Sequence, residues 1–331
     1  MSQTPRIVFM GTPGFAVGSL NALAEASLLP IAVVTVPDKP VGRGLKVAES
    51  AAKQRAKELG IPHILQPENL KDPAFIQELQ ALNPDIAVVV AFRILPQAVY
   101  SIPRLGSFNL HASLLPDYRG AAPINWVLIN GEEQTGVTTF LLQPTVDTGD
   151  ILLQRSINIR PDWNAGHLHD ALMELGAGLV VETTRGLWQG TLQAQPQPTI
   201  QNLHSAPKLT PENTMVDWNQ QAVKIQNLVR GLSPHPTAWT EWEGKKIKLL
   251  AVKPLPSLED TTLYPGQFKM ISDPSSSKSK VLVVGTAEGW IALEHLKPEG
   301  QREMTGLEFW NGLGKLQLEV ERHIFHNPIS I

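Results

Sequence analysis

Two hydrogen-bonding side chains, Asn109 and His111, stand two positions apart in a short stretch that has the pattern of a β-strand. Phe108 and Leu110 alternate with them, and a period of two places the Asn and the His on one face. Because Asn is a poor strand former, such a pair just before a loop indicates a site that binds or reacts. The alternative is an edge strand whose polar face meets water, and these residues alone leave both interpretations open.

The elements around this strand alternate buried strands with helices, which predicts a doubly wound, Rossmann-like α/β fold with a mostly parallel sheet. The run at 85–91 is apolar throughout, as in a strand that is covered on both faces. The residues after it leave its carboxyl end, where open α/β sheets usually bind ligands. Further strands are predicted at 6–10, 31–36, near 63, at 106–111 and at 135–143, and helices at 15–26, 48–59, 73–82, 122–129 and 164–189.

The turn after the first strand argues against a dinucleotide cofactor. Its glycines, Gly11 and Gly14, do not give the G-x-G-x-x-G spacing that lets a backbone approach a pyrophosphate. The missing fingerprint therefore counts against an oxidoreductase that uses NAD.

A segment rich in Pro and Gln at 193–198 predicts a linker. We expect a catalytic domain over residues 1–192, a linker over 193–207 and a second domain over 208–331. In the second domain a helix at 221–231 precedes short strands that are separated by turn residues, and Ser275 to Ser279 have the composition of a flexible hairpin tip. This spacing predicts a small OB-like β-barrel, with strands at 238–242, 246–252, 266–270, 280–284 and 290–293.

The composition bears on four kinds of function: cysteine chemistry, nucleic-acid binding, membrane insertion and metal binding. The chain of 331 residues has no cysteine, which excludes disulfides, thiolate metal sites and a Cys nucleophile. Its net charge of -3 gives no overall attraction for nucleic acid, so a polyanion would need a local basic patch. Without a signal-peptide pattern or a long apolar stretch, we expect a cytoplasmic protein that does not enter membranes. His167 and His169 point to different faces of a predicted helix, and we expect no metal.

Several motifs together resemble the formyltransferases that use 10-formyltetrahydrofolate. The motifs are Asn109-x-His111, the following residues 113–116 and 119–123, and Asp147-x-Gly149-Asp150. Within this family the chain is most similar to the members that formylate methionine on initiator tRNA, which act in translation initiation. Each motif alone is weak, but the joint pattern is specific. The resemblance extends over most of the chain, through residues 11–13, 37–44, 216–218 and 300–304.

The resemblance implies that Asn109, His111 and Asp147 are catalytic. An amine that attacks a formyl group gives a tetrahedral oxyanion, to which the Asn amide and a protonated His would donate hydrogen bonds. The same imidazolium would then give its proton to the departing folate nitrogen. Asp147 would pair with the charged imidazole and help to take up the proton shed by the amine. The alternative for Asp147 is a turn residue before Gly149.

The resemblance also implies a folate site made by two segments. The segment at 92–95 departs from the family pattern. The family has a Gly and one more residue between the aromatic residue and Ile-Leu-Pro, whereas here Arg93 stands in a shortened turn. Backbone contacts to the pterin are therefore in question at that corner. The implied contacts to the cosubstrate 10-formyltetrahydrofolate are Ser113, Leu114, Leu115 and Pro116 beside the folate, and Phe92, Arg93, Ile94 and Leu95 at the pterin pocket.

A loop predicted at 37–46 carries three basic residues, Lys39, Arg43 and Lys46, against one acid, Asp38. Together with the added second domain, this loop makes initiator methionyl-tRNA the expected partner, and no protein partner is expected. The alternative is a solvated loop, and the charges on the following helix, which include Lys53, are interpreted as a solvated surface. The rival functions are a glycinamide-ribonucleotide or amino-sugar formyltransferase, and a non-catalytic module that binds folate or RNA.

Overall fold

A computed structural model describes residues 4–41, 46–256, 262–274, 276–314 and 323–327 of the chain. By its internal contacts the chain divides into two compact units. The first comprises Met1–Pro123, Gln134–Asn158 and His169–Ala206, and the second comprises Ile124–Glu133, Ile159–Leu168 and Pro207–Ile331. The linear domain boundaries at 192 and 207 stay a prediction.

The first unit is built on a seven-stranded, mostly parallel sheet. The strands of this unit are β1 (Ile7–Gly11), β2 (Ala32–Val34), β3 (Lys39–Val41), β4 (Lys46–Ala48), β5 (His63–Leu65), β6 (Ile86–Val90), β7 (Ser107–His111), β8 (Arg119–Gly120), β9 (Gln134–Leu141), β10 (Ile151–Asn158) and β11 (Ser205–Ala206). Strands β3 and β4 form one separate two-stranded sheet, and β8 and β11 form another. The sheet order is β10-β9-β7-β6-β1-β2-β5. Strands β5, β2, β1, β6 and β7, which are neighbours in this order, run parallel to one another. Strand β9 runs antiparallel to β7, and β10 runs antiparallel to β9. The predicted α/β class is confirmed.

The central strands are buried along their whole length, which explains their apolar sequences. Every residue of β1, β2 and β6 is buried. On one face Val8 and Met10 pack in a cluster with Phe75 and Leu79. Burying each such side chain contributes roughly 1.5–3 kcal/mol, so these strands hold the sheet on which the loops are built.

Helices flank the sheet in the first unit, and most of them were predicted to within a few residues. The second helix begins at Ala51 and not at residue 48, because Ser50 caps it by accepting a hydrogen bond from the Lys53 amide at 3.1 Å. None of the helices in the described part of the chain is both long and apolar enough to cross a bilayer. The helices of the N-terminal half are α1 (Gly14–Glu25), α2 (Ala51–Glu58), α3 (Pro73–Ala81), α4 (Gln97–Tyr100), α5 (Pro123–Ile129) and α6 (Ala165–Gln189).

The basic segment predicted as a loop at 37–46 is partly a β-hairpin, so that prediction was wrong at both ends. Strand β3 pairs antiparallel with β4, with Lys39 opposite Ala48 and Val41 opposite Lys46. Pairing between two three-residue strands leaves no periodic signal, which is why the Pro and Gly content dominated the prediction. Arg43 lies outside the described residues.

The second unit contains a six-stranded antiparallel sheet, two C-terminal helices and a 3-10 turn at Glu212–Thr214, together with most of α5 and the first turn of α6. The sheet order is β12-β13-β16-β15-β14, and β17 pairs with β16. The predicted hairpin tip at 275–279 is mostly strand, because β15 begins at Ser276 opposite Asp273, whereas Ser275 lies outside the described residues. The elements are α7 (Ala222–Leu232), β12 (Ala238–Trp242), β13 (Lys245–Leu255), β14 (Phe268–Asp273), β15 (Ser276–Gly285), β16 (Trp290–Pro298), β17 (Met304–Thr305) and α8 (Gly306–Gly312).

The segment 323–327 bonds to both outer strands of this sheet and so closes it in the manner of a barrel. The Phe268 amide donates to the His323 carbonyl at 2.9 Å, and the His326 amide donates to the Glu241 carbonyl at 2.9 Å. Inside, the fully buried Trp218 donates from Nε1 to the Thr240 hydroxyl at 3.0 Å. Closure removes the free edges of the sheet, as expected for an OB-like fold.

Candidate functional site

Strand β7 carries Asn109 and His111 inside the sheet and not at its edge. It lies between β6 and β9, with Asn109 opposite Val89 on one side and Phe140 on the other. Phe108 is fully buried and Leu110 nearly so. The alternative of a solvated edge strand is therefore wrong. An interior strand that presents an amide and an imidazole on one face can position them for binding or catalysis.

The His111 ring is held by one buried hydrogen bond. Its Nε2 lies 2.9 Å from the Tyr118 carbonyl oxygen. A carbonyl only accepts, so Nε2 carries the proton in this contact. The other ring nitrogen, Nδ1, lies 3.9 Å from Oδ2 of Asp147, and the side chains are 6% and 11% exposed. This spacing is longer than a hydrogen bond, and catalytic contacts commonly tighten when substrate binds.

Asp147 lies in the loop between β9 and β10 in a backbone conformation that side chains rarely adopt, with φ at 56°. Its Oδ2 accepts a hydrogen bond from the Gly120 amide at 3.0 Å, 27 residues earlier in the chain. The carboxylate therefore does not serve its own turn, as the turn-residue alternative required. Gly149 packs so closely that a Cβ there would stand 1.7 Å from the Leu141 carbonyl oxygen. This contact fixes the loop against the end of β9.

The Asn109 amide is free to meet a ligand. Its side chain is half-buried, and it makes no hydrogen bond to any group in the described ranges. An amide with two N–H donors and no protein acceptor is suited to stabilising an oxygen that becomes negative.

The segment 113–116 is supported mainly by the protein itself. Ser113 is fully buried, and its hydroxyl donates to the Asp117 carbonyl at 2.7 Å. The Leu115 amide donates to the Thr138 hydroxyl at 3.1 Å, and Leu115 and Pro116 are buried. Leu114 is half-buried and has the most accessible side chain of the four predicted contacts. Ser113, Leu115 and Pro116 shape the loop, so a folate contact from their side chains stays a prediction.

Arg93 fills the shortened turn after β6 and is tied to protein carbonyls. Its two terminal nitrogens donate to the Pro67 oxygen at 2.8 Å and the Glu68 oxygen at 3.0 Å, and its Cζ lies 5.3 Å from the centre of the Phe92 ring. Burial lowers the pKa of the guanidinium from its ordinary value. Leu95 is buried, whereas Ile94 is 77% exposed. Ile94 therefore presents the apolar surface of this turn, and Arg93 supports it.

An ion-pair network joins the two ends of the β3–β4 hairpin. Asp38, just before β3, accepts hydrogen bonds from Lys53 and from Gln66, and both lower the pKa of its carboxyl group. Glu49, just after β4, accepts from Lys57 and lies 3.2 Å from the Lys53 ammonium, and these contacts lower its pKa. The hydrogen bond to Asp38 raises the pKa of Lys53. Lys53 therefore clamps the hairpin, and its interpretation as a solvated surface charge was wrong.

The predicted basic residues of this hairpin are only partly described. Lys39 is exposed on β3, Lys46 lies on β4, and Arg43 is outside the described residues. No group of three or more His, Asp or Glu side chains within the described ranges could hold a metal ion. His167 instead accepts a hydrogen bond from the Asn164 amide at 3.2 Å, and His169 pairs with Asp170 at 2.9 Å.

Comparisons with known proteins place the chain in a family. A model of the formyl transferase family matches residues 5–184, and a model of the formyl transferase C-terminal domain matches residues 208–314. The methionyl-tRNA formyltransferase of Parabacteroides distasonis is 46% identical over 317 residues, which cover 94% of this chain and 96% of that protein. The chain belongs to the methionyl-tRNA formyltransferase family. The Chlorobium phaeovibrioides member is also 46% identical, with 94% and 97% of the two chains covered.

Solved structures agree with this formyltransferase in fold. HypX from Aquifex aeolicus in complex with tetrahydrofolic acid gives a TM-score of 0.63 at 19% identity, covering 95% of this chain and 48% of that one. An N-formyltransferase from Helicobacter canadensis, in complex with folinic acid and dTDP-3-aminofucose, gives a TM-score of 0.62 at 16% identity. The match covers 88% of this chain and 99% of that one. At these identities the likeness concerns the fold alone.

Sequence reasoning missed the part that residues 195–206 play around the site of this formyltransferase. Gln195 exchanges two backbone hydrogen bonds with Ile151, at 2.7 and 2.8 Å. Strand β11 pairs in parallel with β8, and the His204 carbonyl accepts from the Tyr118 amide at 2.9 Å. The Pro and Gln content that predicted a linker gave no sign of these bonds, because each of them joins residues that are distant in sequence.

Proposed function

We propose that the chain transfers the formyl group of 10-formyltetrahydrofolate to the amino group of methionine on initiator methionyl-tRNA, in the cytoplasm, for translation initiation. The observation that carries this proposal is the grouping of Asn109, His111 and Asp147 around β7 in a chain of this family. No residue of the protein has to act as a nucleophile, because the attacking amine belongs to the substrate.

The three side chains divide the work of formyl transfer. The amine nitrogen forms a bond to the formyl carbon, and the resulting oxyanion accepts hydrogen bonds from the unpaired Asn109 amide. The bond from this carbon to the folate nitrogen then breaks, and that nitrogen needs a proton. Because His111 Nε2 is committed to the Tyr118 carbonyl, Nδ1 is the ring atom that delivers this proton. Asp147, 3.9 Å from Nδ1, takes part in removing the proton shed by the amine.

A basic strip on the second unit supports the tRNA part of the proposal. On the outer face of the sheet Lys248 stands directly opposite Lys297, and Trp239 stands opposite Lys248. Both lysines are exposed, and the Lys246 ammonium lies 4.0 Å from the centre of the Trp239 ring. Burial and the neighbouring Lys248 lower the pKa of Lys246. Like charges opposite one another destabilise a sheet, and a bound phosphate backbone would relieve that repulsion.

One competition experiment tests the acceptor. The protein is incubated with labelled 10-formyltetrahydrofolate and charged methionyl-tRNA, with glycinamide ribonucleotide and an amino-sugar nucleotide as competing acceptors. We expect the label on the methionine of the tRNA. Transfer to one of the small acceptors, with none to the tRNA, would overturn the acceptor and keep the chemistry. Folate binding without transfer to any acceptor would favour a non-catalytic module.

A further inference from the structure

One amide side chain outside the proposed catalytic group touches the backbone on both sides of Asp147. Gln197 Nε2 donates to the Asp147 carbonyl at 2.9 Å and to the Gly149 carbonyl at 2.8 Å. Its Oε1 accepts from the Arg119 guanidinium, at 2.6 Å from Nη2. Both N–H donors and the carbonyl oxygen of Gln197 are therefore in use, which is the full donor capacity of an amide.

The loop that Gln197 holds needs an external support. Asp147 sits in the left-handed region with φ at 56°, a conformation that costs a residue with a side chain roughly 1–2 kcal/mol. Such conformations persist where surrounding contacts over-determine them. The two bonds from Gln197 reach the carbonyls of Asp147 and Gly149 and so fix the orientation of this turn.

The same amide also connects the loop to the segment that holds His111. Arg119, which bonds to Gln197, stands between Tyr118 and Gly120. The Tyr118 carbonyl accepts a hydrogen bond from His111 Nε2, and the Gly120 amide donates one to the Asp147 carboxylate. Gln197 thus ties together the two backbone segments that set the distance between Asp147 and His111.

We propose that Gln197 is a positioning residue that holds Asp147 against His111 for proton transfer. This inference rests on the proposed function for its kinetic meaning. Gln197 does not touch the reacting atoms; it acts on turnover through Asp147. Its donor hydrogens, and not its oxygen alone, carry the effect, because they bond to the loop that contains Asp147.

A double-mutant cycle in the full-length protein tests the inference. We expect Gln197→Ala to lower kcat by about 10- to 100-fold, the loss that small misplacements of catalytic groups cause, with the KM values for both substrates unchanged. In an Asp147→Asn background the same change should have little further effect. An equal loss in both backgrounds, or a loss confined to KM, would overturn the inference.

Two further variants separate the donors from the rest of the side chain. Gln197→Glu keeps an acceptor for Arg119 but sets an oxygen against the Asp147 and Gly149 carbonyls, so we expect a kcat at least as low as that of Gln197→Ala. A Gln197→Glu protein with wild-type kcat would overturn the donor role. Gln195→Ala is the matched control, because the Gln195 side chain is exposed and its hydrogen bonds within the described ranges come from its backbone. It should keep wild-type kcat.

Amide hydrogen exchange gives a readout that needs no substrate. Exchange should rise in peptides that contain residues 145–150 in Gln197→Ala and stay at the wild-type level in Gln195→Ala. Unchanged exchange in Gln197→Ala would overturn the positioning role even if kcat fell. A wild-type protein that formylates no acceptor would instead contradict the proposed function, so the two failures are distinguishable.

Discussion

Replacing His111 and Asn109 separately by alanine should give similar losses of turnover and different losses of stability. His111→Ala removes the buried hydrogen bond from Nε2 to the Tyr118 carbonyl, 2.9 Å long. Leaving a buried carbonyl without this partner costs about 1–3 kcal/mol. For a unit of this size each kcal/mol lowers the midpoint of thermal unfolding by roughly 2–4 °C.

Asn109→Ala breaks no hydrogen bond among the described residues, so its free energy of unfolding should match that of the wild type to within about 0.5 kcal/mol. Its turnover should still fall by about 10²- to 10³-fold, the value for one lost oxyanion donor, against about 10²- to 10⁴-fold for His111→Ala. Steady-state formylation of methionyl-tRNA and calorimetric unfolding measure the two effects. Equal midpoints for the two variants would refute the stabilising role of the Tyr118 contact, and wild-type turnover in either would remove that residue from the mechanism.

Other substitutions test the remaining contacts. Asp147→Ala should lower kcat by about 10²- to 10⁴-fold with the folate KM unchanged, in steady-state assays. Arg43→Ala and Lys297→Ala should each raise the KM for tRNA and make the salt slope of binding shallower by at most about one unit, measured between about 50 and 200 mM salt. Lys53→Met should raise the KM for tRNA without changing that for folate. It should also weaken a pH dependence of stability. The Asp38 and Glu49 carboxylates, whose pKa values are lowered, stabilise the fold above about pH 4 and lose this effect as the pH falls through their folded pKa values. Lys53 is the largest cause of the lowered pKa of Asp38, whereas Lys57 remains beside Glu49 in the variant. Acid unfolding curves of the two proteins that superimpose would contradict the Lys53 clamp.

Most of the fold follows from apolar patterns that are local in sequence. The continuous apolar run of β6 was sufficient to predict a buried strand, because a strand that is covered on both faces is apolar throughout. The helical spacing of leucines in α6 was sufficient to predict a helix, because a helix that packs on one side carries one apolar stripe. Strand β10 was not predicted, because it lies at the edge of the sheet and exposes much of its length, including the polar residues Gln154, Arg155 and Ser156. The β3–β4 hairpin was not predicted because strands of three residues are too short to show a period of two.

The candidate site likewise contains residues that local sequence patterns indicate and residues that depend on contacts distant in sequence. Asn109 and His111 stood out because a strand alternates its faces, so two polar neighbours on one face are visible in sequence. Asp147 required resemblance to a family, since its contact with Gly120 spans 27 residues. Arg93 was placed in the correct turn, but its binding to the carbonyls of Pro67 and Glu68 depends on tertiary structure. Gln197 has no sequence signal of its own, because it lies in a segment whose composition predicts a linker.

The bonding of residues 195–206 into the catalytic unit bears on how such chains can be recombined. A chimaera joined within 193–198 would give the catalytic unit a foreign Gln197, a foreign β11 and a foreign partner for Tyr118. A junction placed directly after Ala206 would keep all three with the sheet that they serve. The junction for a chimaera therefore lies after Ala206, beyond the Pro- and Gln-rich segment at 193–198 and not inside it.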